Sequence, residues 1–182
     1  EDVGGIQQSD PQAYRNCQEW QNLTSDTILL QDIYQVVYKT NLSDMEKSFS
    51  GDKWASGNGF THWLMNNDKA LRDYLLLSKN NEDVRRQRNS RWYYPSMKTN
   101  GRMSLEQIAD TALVRAKGRL KHRYLLQAVR ALFTLGRYEE CMQIWSRDME
   151  PLPEDNLMRM HVKPYIAGAM MRLGHREQAL RY

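Results

Sequence analysis

The last third of this chain contains a repeat. Ala131-Leu132-Phe133-Thr134-Leu135-Gly136-Arg137-Tyr138-Glu139-Glu140-Cys141 aligns with Ala169-Met170-Met171-Arg172-Leu173-Gly174-His175-Arg176-Glu177-Gln178-Ala179 at an offset of 38 residues. In each copy a helical pattern ends at Leu-Gly, where glycine can take the left-handed conformation that closes a helix, and a second pattern starts almost at once. One helical hairpin cannot bury its own apolar face. Repetition at a period of roughly 20 to 50 residues is therefore the signature of hairpins that lean on one another.

The rest of the 182-residue chain is consistent with this. Ten Gly, five Pro and two Cys are too few for collagen-like, disordered or disulfide-scaffold classes. No stretch approaches the roughly 18 uninterrupted apolar residues of a membrane span. Apolar residues recur at helical spacing nearly everywhere and nowhere alternate as a half-buried strand requires, so the class is all-α. The chain begins at Glu1 without a Met and stops at Tyr182 inside a helical pattern, as expected of a piece of a longer protein from which an export signal could have been lost. Cys17 and Cys141 sit singly in helical patterns and read as buried thiols.

The spacing predicts a first helix over 11–22, with Asp10 as cap and Pro11 at the first position. Ser25 or Asp26 is expected to cap a second, with Leu29, Ile33, Val36 and Val37 on one face, ending near Lys39 to Asn41. Ser43 and Glu46 have capping-box spacing for a short third helix. Ser50 to Gly59 is the clearest loop, and it sets an expected division into an N-terminal helical cap, 1–59, and a helical-repeat region, 60–182, unless the two form one domain. Within the latter, Phe60 to Asn66 reads as a short helix, Asp68 caps the next and Asn81 a further one over Glu82 to Ser90. Pro95 forbids helix at Tyr94, so Arg91 to Pro95 must cross in an extended form. Its aromatic run, Trp92, Tyr93 and Tyr94, is either a stacking platform for a base or sugar or a plug between helical layers. Ser104 is expected to cap a helix over 104–118, with Gly118 separating it from the repeat.

The first copy of the repeat resembles the tetratricopeptide repeat. Leu125, Ala128, Val129 and Leu132 fall at the packing positions of that family's first helix, Gly136 and Tyr138 at its turn, Cys141 and Trp145 at the small and aromatic positions of its second helix, and Pro153 at its terminal proline. Val129 and Asp148 depart from the small residues usual there. The second copy fits at Ala167, Met170, Gly174 and Ala179 but carries Lys163 and Pro164 where the family has apolar residues. The resemblance implies tetratricopeptide-like units at about 122–153 and 160–182, the second truncated, in a right-handed α-solenoid. Leu75-Leu76-Leu77-Ser78-Lys79, Arg91-Trp92-Tyr93-Tyr94-Pro95, Arg123-Tyr124-Leu125-Leu126-Gln127 and Tyr165-Ile166-Ala167-Gly168-Ala169 together resemble a group of exported helical-repeat proteins of gut Bacteroidetes. This second resemblance implies an extracytoplasmic location, in the periplasm or at the cell surface, and brings no activity with it. Asp26-Thr27-Ile28 and Asp110-Thr111-Ala112 also look like O-glycosylation triplets of exported proteins in that phylum.

Signals for chemistry are sparse. His62, His122, His161 and His175 are scattered, with none three or four residues from another His or a Cys, so no metal site is expected. Gly57-Asn58-Gly59 has His62 where a dinucleotide fingerprint needs its third glycine, so no cofactor is expected either. Ser50-Gly51-Asp52-Lys53, Ser56-Gly57-Asn58 and Lys98-Thr99-Asn100 mimic the motifs of penicillin-interacting serine enzymes, but two share one loop and no strand is predicted for the third.

Charge is more informative. Residues 1–80 carry seven Lys and Arg against eleven Asp and Glu, whereas residues 81–182 carry nineteen against eleven. Arg123, Gln127, Arg130 and Thr134 lie on one helical face, opposite the packing residues, and Arg172 belongs to the next copy. In tetratricopeptide-like stacks that face lines the concave groove, and arginines spaced one or two turns apart can hold a carboxylate or phosphate. The alternative is a solvated face whose arginine stems merely cover apolar surface. The resulting expectation is a non-catalytic binding or scaffolding module whose Arg123, Gln127, Arg130 and Arg172 meet a protein or peptide partner, acidic segments included. Nucleic-acid binding by the basic half, with Trp92, Tyr93 and Tyr94 stacking on bases, is a rival, and an enzyme with a site between helical layers is another.

Overall fold

The computed structural model describes residues 3–51, 57–91 and 103–180. Every regular element among them is helical, and no strand occurs among the described residues. The chain divides into two compact units, 1–79 and 80–182. Residues 60–79 therefore go with the N-terminal unit, and the division falls inside a long helix rather than in the loop at 50–59.

The first unit holds α1 (Val3–Ser9), α2 (Pro11–Leu23), α3 (Leu30–Tyr34) running into a π-helical turn (Gln35–Lys39), α4 (Leu42–Phe49), α5 (Gly59–Asn67) and the first half of α6 (Lys69–Arg91). Asp10 caps α2 as expected, its Oδ1 accepting from Ala13 N at 2.9 Å, with Pro11 at the first position. Trp20 anchors the core, its ring 6.0 Å from Phe60 and 5.6 Å from Tyr74, among buried Ile33, Met45, Leu64 and Leu71. Asn58 and Asp68 cap the next two helices by accepting from Thr61 N and Leu71 N, both at 3.0 Å.

Three of the expected helix starts are different. The second helix begins at Leu30, not beside Ser25 or Asp26, because Ser25 and Thr27 bond each other in a turn that buries Ile28 and leaves Leu29 exposed. Asn41, not Ser43, caps α4, accepting from Asp44 N at 2.9 Å. Asn81 caps nothing: α6 runs unbroken through it. No Gly or Pro interrupts the sequence between Lys69 and Arg91, and extending a helix already nucleated is easier than restarting one. Much of the Gly-rich loop, Trp54 included, and the aromatic run Trp92, Tyr93 and Tyr94 lie outside the described residues.

The second unit comprises the end of α6, α7 (Leu105–Arg115), a 3₁₀ turn (Gly118–Leu120), α8 (Lys121–Leu135), α9 (Tyr138–Ile144) with a π-helical turn (Trp145–Met149), α10 (Leu157–Arg172) and α11 (Arg176–Ala179). Ser104 and Gln107 form the full capping box of α7, at 3.1 and 2.9 Å. α8 packs against α7, α9 and α10, and α10 against α9 and α11. Leu125, Ala128, Val129 and Leu132 of α8 are buried, as are Cys141 and Trp145. Asp148, the polar departure in the second helix, is paired with Lys121 of α8 at 2.8 Å and with Arg147 of the π-helical turn at 2.7 Å. α10 continues through Pro164, whose ring is exposed while Val162 and Ile166 beside it are buried. Hydrophobic burial on that face thus offsets the hydrogen bond that proline removes.

Candidate functional site

The face of α8 singled out by its arginines is largely enclosed. Arg123 and Gln127 are only 6% and 2% exposed, so they do not line an open groove. The covering group comes from the second half of α6. Asn81 Nδ2 donates to the main-chain oxygen of Gln127 at 2.9 Å and to its Oε1 at 3.0 Å. The Asn81 side chain, which sequence spacing assigns to a helix cap, is therefore spent on a tertiary contact. Its Oδ1 is buried without a hydrogen-bond partner.

Further along α8 the surroundings open. Arg130 is half-buried and approaches Tyr165 of α10, while Arg85 of α6 donates from Nη1 to the Tyr165 hydroxyl at 3.2 Å. The Nε–H groups of Arg85 and Arg130 are buried and have no hydrogen-bond partner among the described residues. Burial pushes the Tyr165 phenol up, but the positive field of Arg130 and Arg85 and their hydrogen bonds outweigh it and hold its pKa below the ordinary tyrosine value. Two guanidiniums thus stand beside one phenol here.

The aromatic floor beside it is built by close approach of α8 and α10. Phe133 meets Tyr165 edge-on at 5.5 Å and Tyr138 at 5.4 Å. Gly168 makes this possible, because a Cβ there would lie 3.0 Å from two Phe133 ring carbons. Arg172, exposed, lays its guanidinium over Phe133 at 5.0 Å and over Tyr138 at 5.6 Å. Arg130, Tyr165, Phe133 and Arg172 therefore share one neighbourhood. Arg123 and Gln127 are buried instead, Gln127 against Asn81 of α6.

Sequence reasoning missed Arg85 and Tyr165. Arg85 lies 80 residues from Tyr165, and no local spacing marks that pairing. Arg159 was missed too: it is 8% exposed, sits over the Trp145 ring at 5.5 Å, and leaves Nε and Nη1 without hydrogen-bond partners. Trp92, Tyr93 and Tyr94 lie outside the described residues. Among the described residues no group of three His, Cys, Asp or Glu side chains could hold a metal ion, and no helix is long and apolar enough to cross a membrane.

The cluster sets guanidinium cations beside aromatic faces. Guanidiniums provide planar, paired N–H donors that match carboxylate and phosphate oxygens. Their ring contacts hold Arg172 in place at little entropic cost. No family model matches the chain, and no curated protein or solved structure is similar enough to count as a match.

Proposed function

We propose that this chain is a non-catalytic binding and scaffolding module of stacked tetratricopeptide-like hairpins, in a longer exported bacterial protein, and that it holds a protein or peptide partner against α8 and α10. The observation that carries the reading is the cluster of Arg130, Tyr165, Phe133 and Arg172, where two helices from successive copies of the repeat bring cations and aromatic edges together. The repeat supports it further, since α8 and α10 each end in the same glycine bend and pack on one another. Such surfaces recognise partners by aromatic and arginine anchors rather than by area alone.

Arg123 and Gln127, both buried, drop out of the partner surface; Arg130 and Arg172 remain. Selection of a random peptide library on the purified chain, followed by amide chemical-shift mapping of one enriched peptide, tests the reading. Shifts should concentrate at Arg130, Thr134, Tyr165 and Arg172, and the double substitution Arg130→Ala, Arg172→Ala should weaken binding about tenfold or more with unchanged helicity. Enriched peptides that map to the first unit, or no enrichment, would remove the proposal.

A further inference from the structure

Among the described residues, two cations of the second unit have no acid paired with them. The ion pairs nearby in sequence are Arg86 with Asp83, Arg137 with Glu140, and Asp148 with Lys121 and Arg147; neither Arg85 nor Arg130 takes part in one. Both side chains are half-buried, and each leaves its Nε–H enclosed and unbonded. The stretch 92–102 that follows α6 cannot supply the missing acid, because its sequence contains no Asp or Glu; its charged residues are Lys98 and Arg102. A buried guanidinium N–H without an acceptor is strongly disfavoured, and charged groups are normally enclosed only with a partner. Between the two stands the Tyr165 hydroxyl, which receives a hydrogen bond from Arg85 and can donate its own proton onward.

We propose that Arg85, Arg130 and Tyr165 form a receptor for a single oxyanion group, a carboxylate or phosphate, with the guanidiniums donating paired N–H bonds and the phenol donating a third. The inference rests on the reading of α8 and α10 as a partner surface and names the group recognised there. The same oxyanion could arrive on a side chain of the partner or as a free small anion. Fixed geometry favours the planar, multiply accepting oxygens of these groups over chloride.

The test follows the arginine Nε–H cross-peaks and the Tyr165 ¹³Cζ signal of the whole chain during titration. The probes are inorganic phosphate, acetate, and two short blocked peptides, one carrying phosphoserine and one carrying glutamate. Saturable shifts of the Arg85 and Arg130 signals are expected with phosphate or acetate at millimolar concentration, with Tyr165 ionising at higher pH once the anion is bound. Affinity about tenfold tighter for a peptide than for its free anion identifies a side chain as the source, and equal affinity identifies a free anion. Arg130→Gln should weaken binding about tenfold or more, Tyr165→Phe less, and Arg86→Gln, whose side chain is paired with Asp83, not at all. Titrations that remain linear to about 50 mM, or that respond equally in Arg130→Gln and Tyr165→Phe as in the unaltered chain, overturn the proposal. Library peptides that bind α8 and α10 with full affinity in Arg130→Gln would leave the docking surface standing and remove only the receptor. Saturable phosphate binding without any enriched peptide would do the reverse.

Discussion

Gly136 and Gly174 close their helices in the same way. Their φ angles are +79° and +86°, and in each case the amide after the glycine reaches back to a carbonyl one turn inside the helix, Arg137 to Leu132 and His175 to Met170, both at 2.9 Å. The glycine amides bond Phe133 and Met171, at 3.0 and 3.3 Å. This is the Schellman arrangement, and it places equivalent bends at equivalent points of the 38-residue repeat. A side chain at Gly136 would meet open space, its nearest neighbour being the Tyr138 hydroxyl at 4.0 Å. The cost of Gly136→Ala is therefore conformational and should be about 1 kcal/mol, with Gly136→Asn less costly. Urea denaturation midpoints check this, and an unchanged midpoint for the alanine variant would show that the bend is not held at positive φ.

Asn81 and Gln127 join α6 to α8 through two hydrogen bonds in a buried setting. Asn81→Ala should destabilise the chain by about 1 to 3 kcal/mol, because acceptors on Gln127 lose a donor that no water can replace. Asn81→Asp should cost more, since it brings a carboxylate against those same oxygens. Chemical denaturation of both variants at neutral pH measures the order. Equal stability to the parent would mean that α6 does not seat on α8 as described.

The Cys141 thiol is wholly buried, and burial, helped by Glu140, pushes its pKa up to about 12. Only the thiolate reacts appreciably with disulfide reagents. At pH 8 the native chain should therefore label at Cys141 no faster than it opens, and labelling should become immediate in denaturant. A Cys17→Ser background isolates the signal, and fast labelling under native conditions would contradict the packing of α9.

Asp148 and His122 set the acid side of the stability profile. Burial raises the Asp148 carboxyl, but hydrogen bonds from Lys121 and Arg147 and their charges outweigh it, so its pKa lies below the usual value. A depressed carboxyl stabilises the fold above its unfolded pKa, near 4, and that contribution is lost as pH falls through the folded value. His122 is also depressed, chiefly by burial and then by Lys121, against the opposing pull of Asp148. Protonation of His122 therefore favours the unfolded chain, so stability should decline as pH drops below about 6.5. Thermal melts between pH 7 and 3 should show His122→Gln flattening the upper part of that decline, and Asp148→Asn should lower stability at pH 7 with a difference that shrinks towards pH 3. A His122→Gln profile parallel to the parent's between pH 7 and 5 would rule out that role.

Local signals carried the helices well. Asp10, Asp68 and Ser104 each accept from an amide three residues on, the pattern that capping chemistry predicts from sequence. The same logic misplaced Asn81 because an asparagine that caps and one that bridges two helices look alike until its neighbour in space is known. Ser25 and Ser43 failed for a related reason: Ser25 was better satisfied in a turn with Thr27, and Asn41, two residues before Ser43, took the cap. The arginine face of α8 was legible as a face, but its fate was not. Gln127 is met by Asn81 of α6, and the approach of Arg85 and Arg130 to Tyr165 depends on three helices meeting. Helical periodicity reports which side of one rod is apolar and carries no information about what lies against its polar side.

α10 lies against α8 with Gly168 on Phe133, and that approach creates the Arg130, Tyr165 and Arg172 cluster. Nuclear Overhauser contacts from the Phe133 ring test it most directly. Strong cross-peaks to the Gly168 α-protons and to the Tyr165 ring are predicted. A Phe133 ring that contacts only its own helix and Tyr138 would contradict the account.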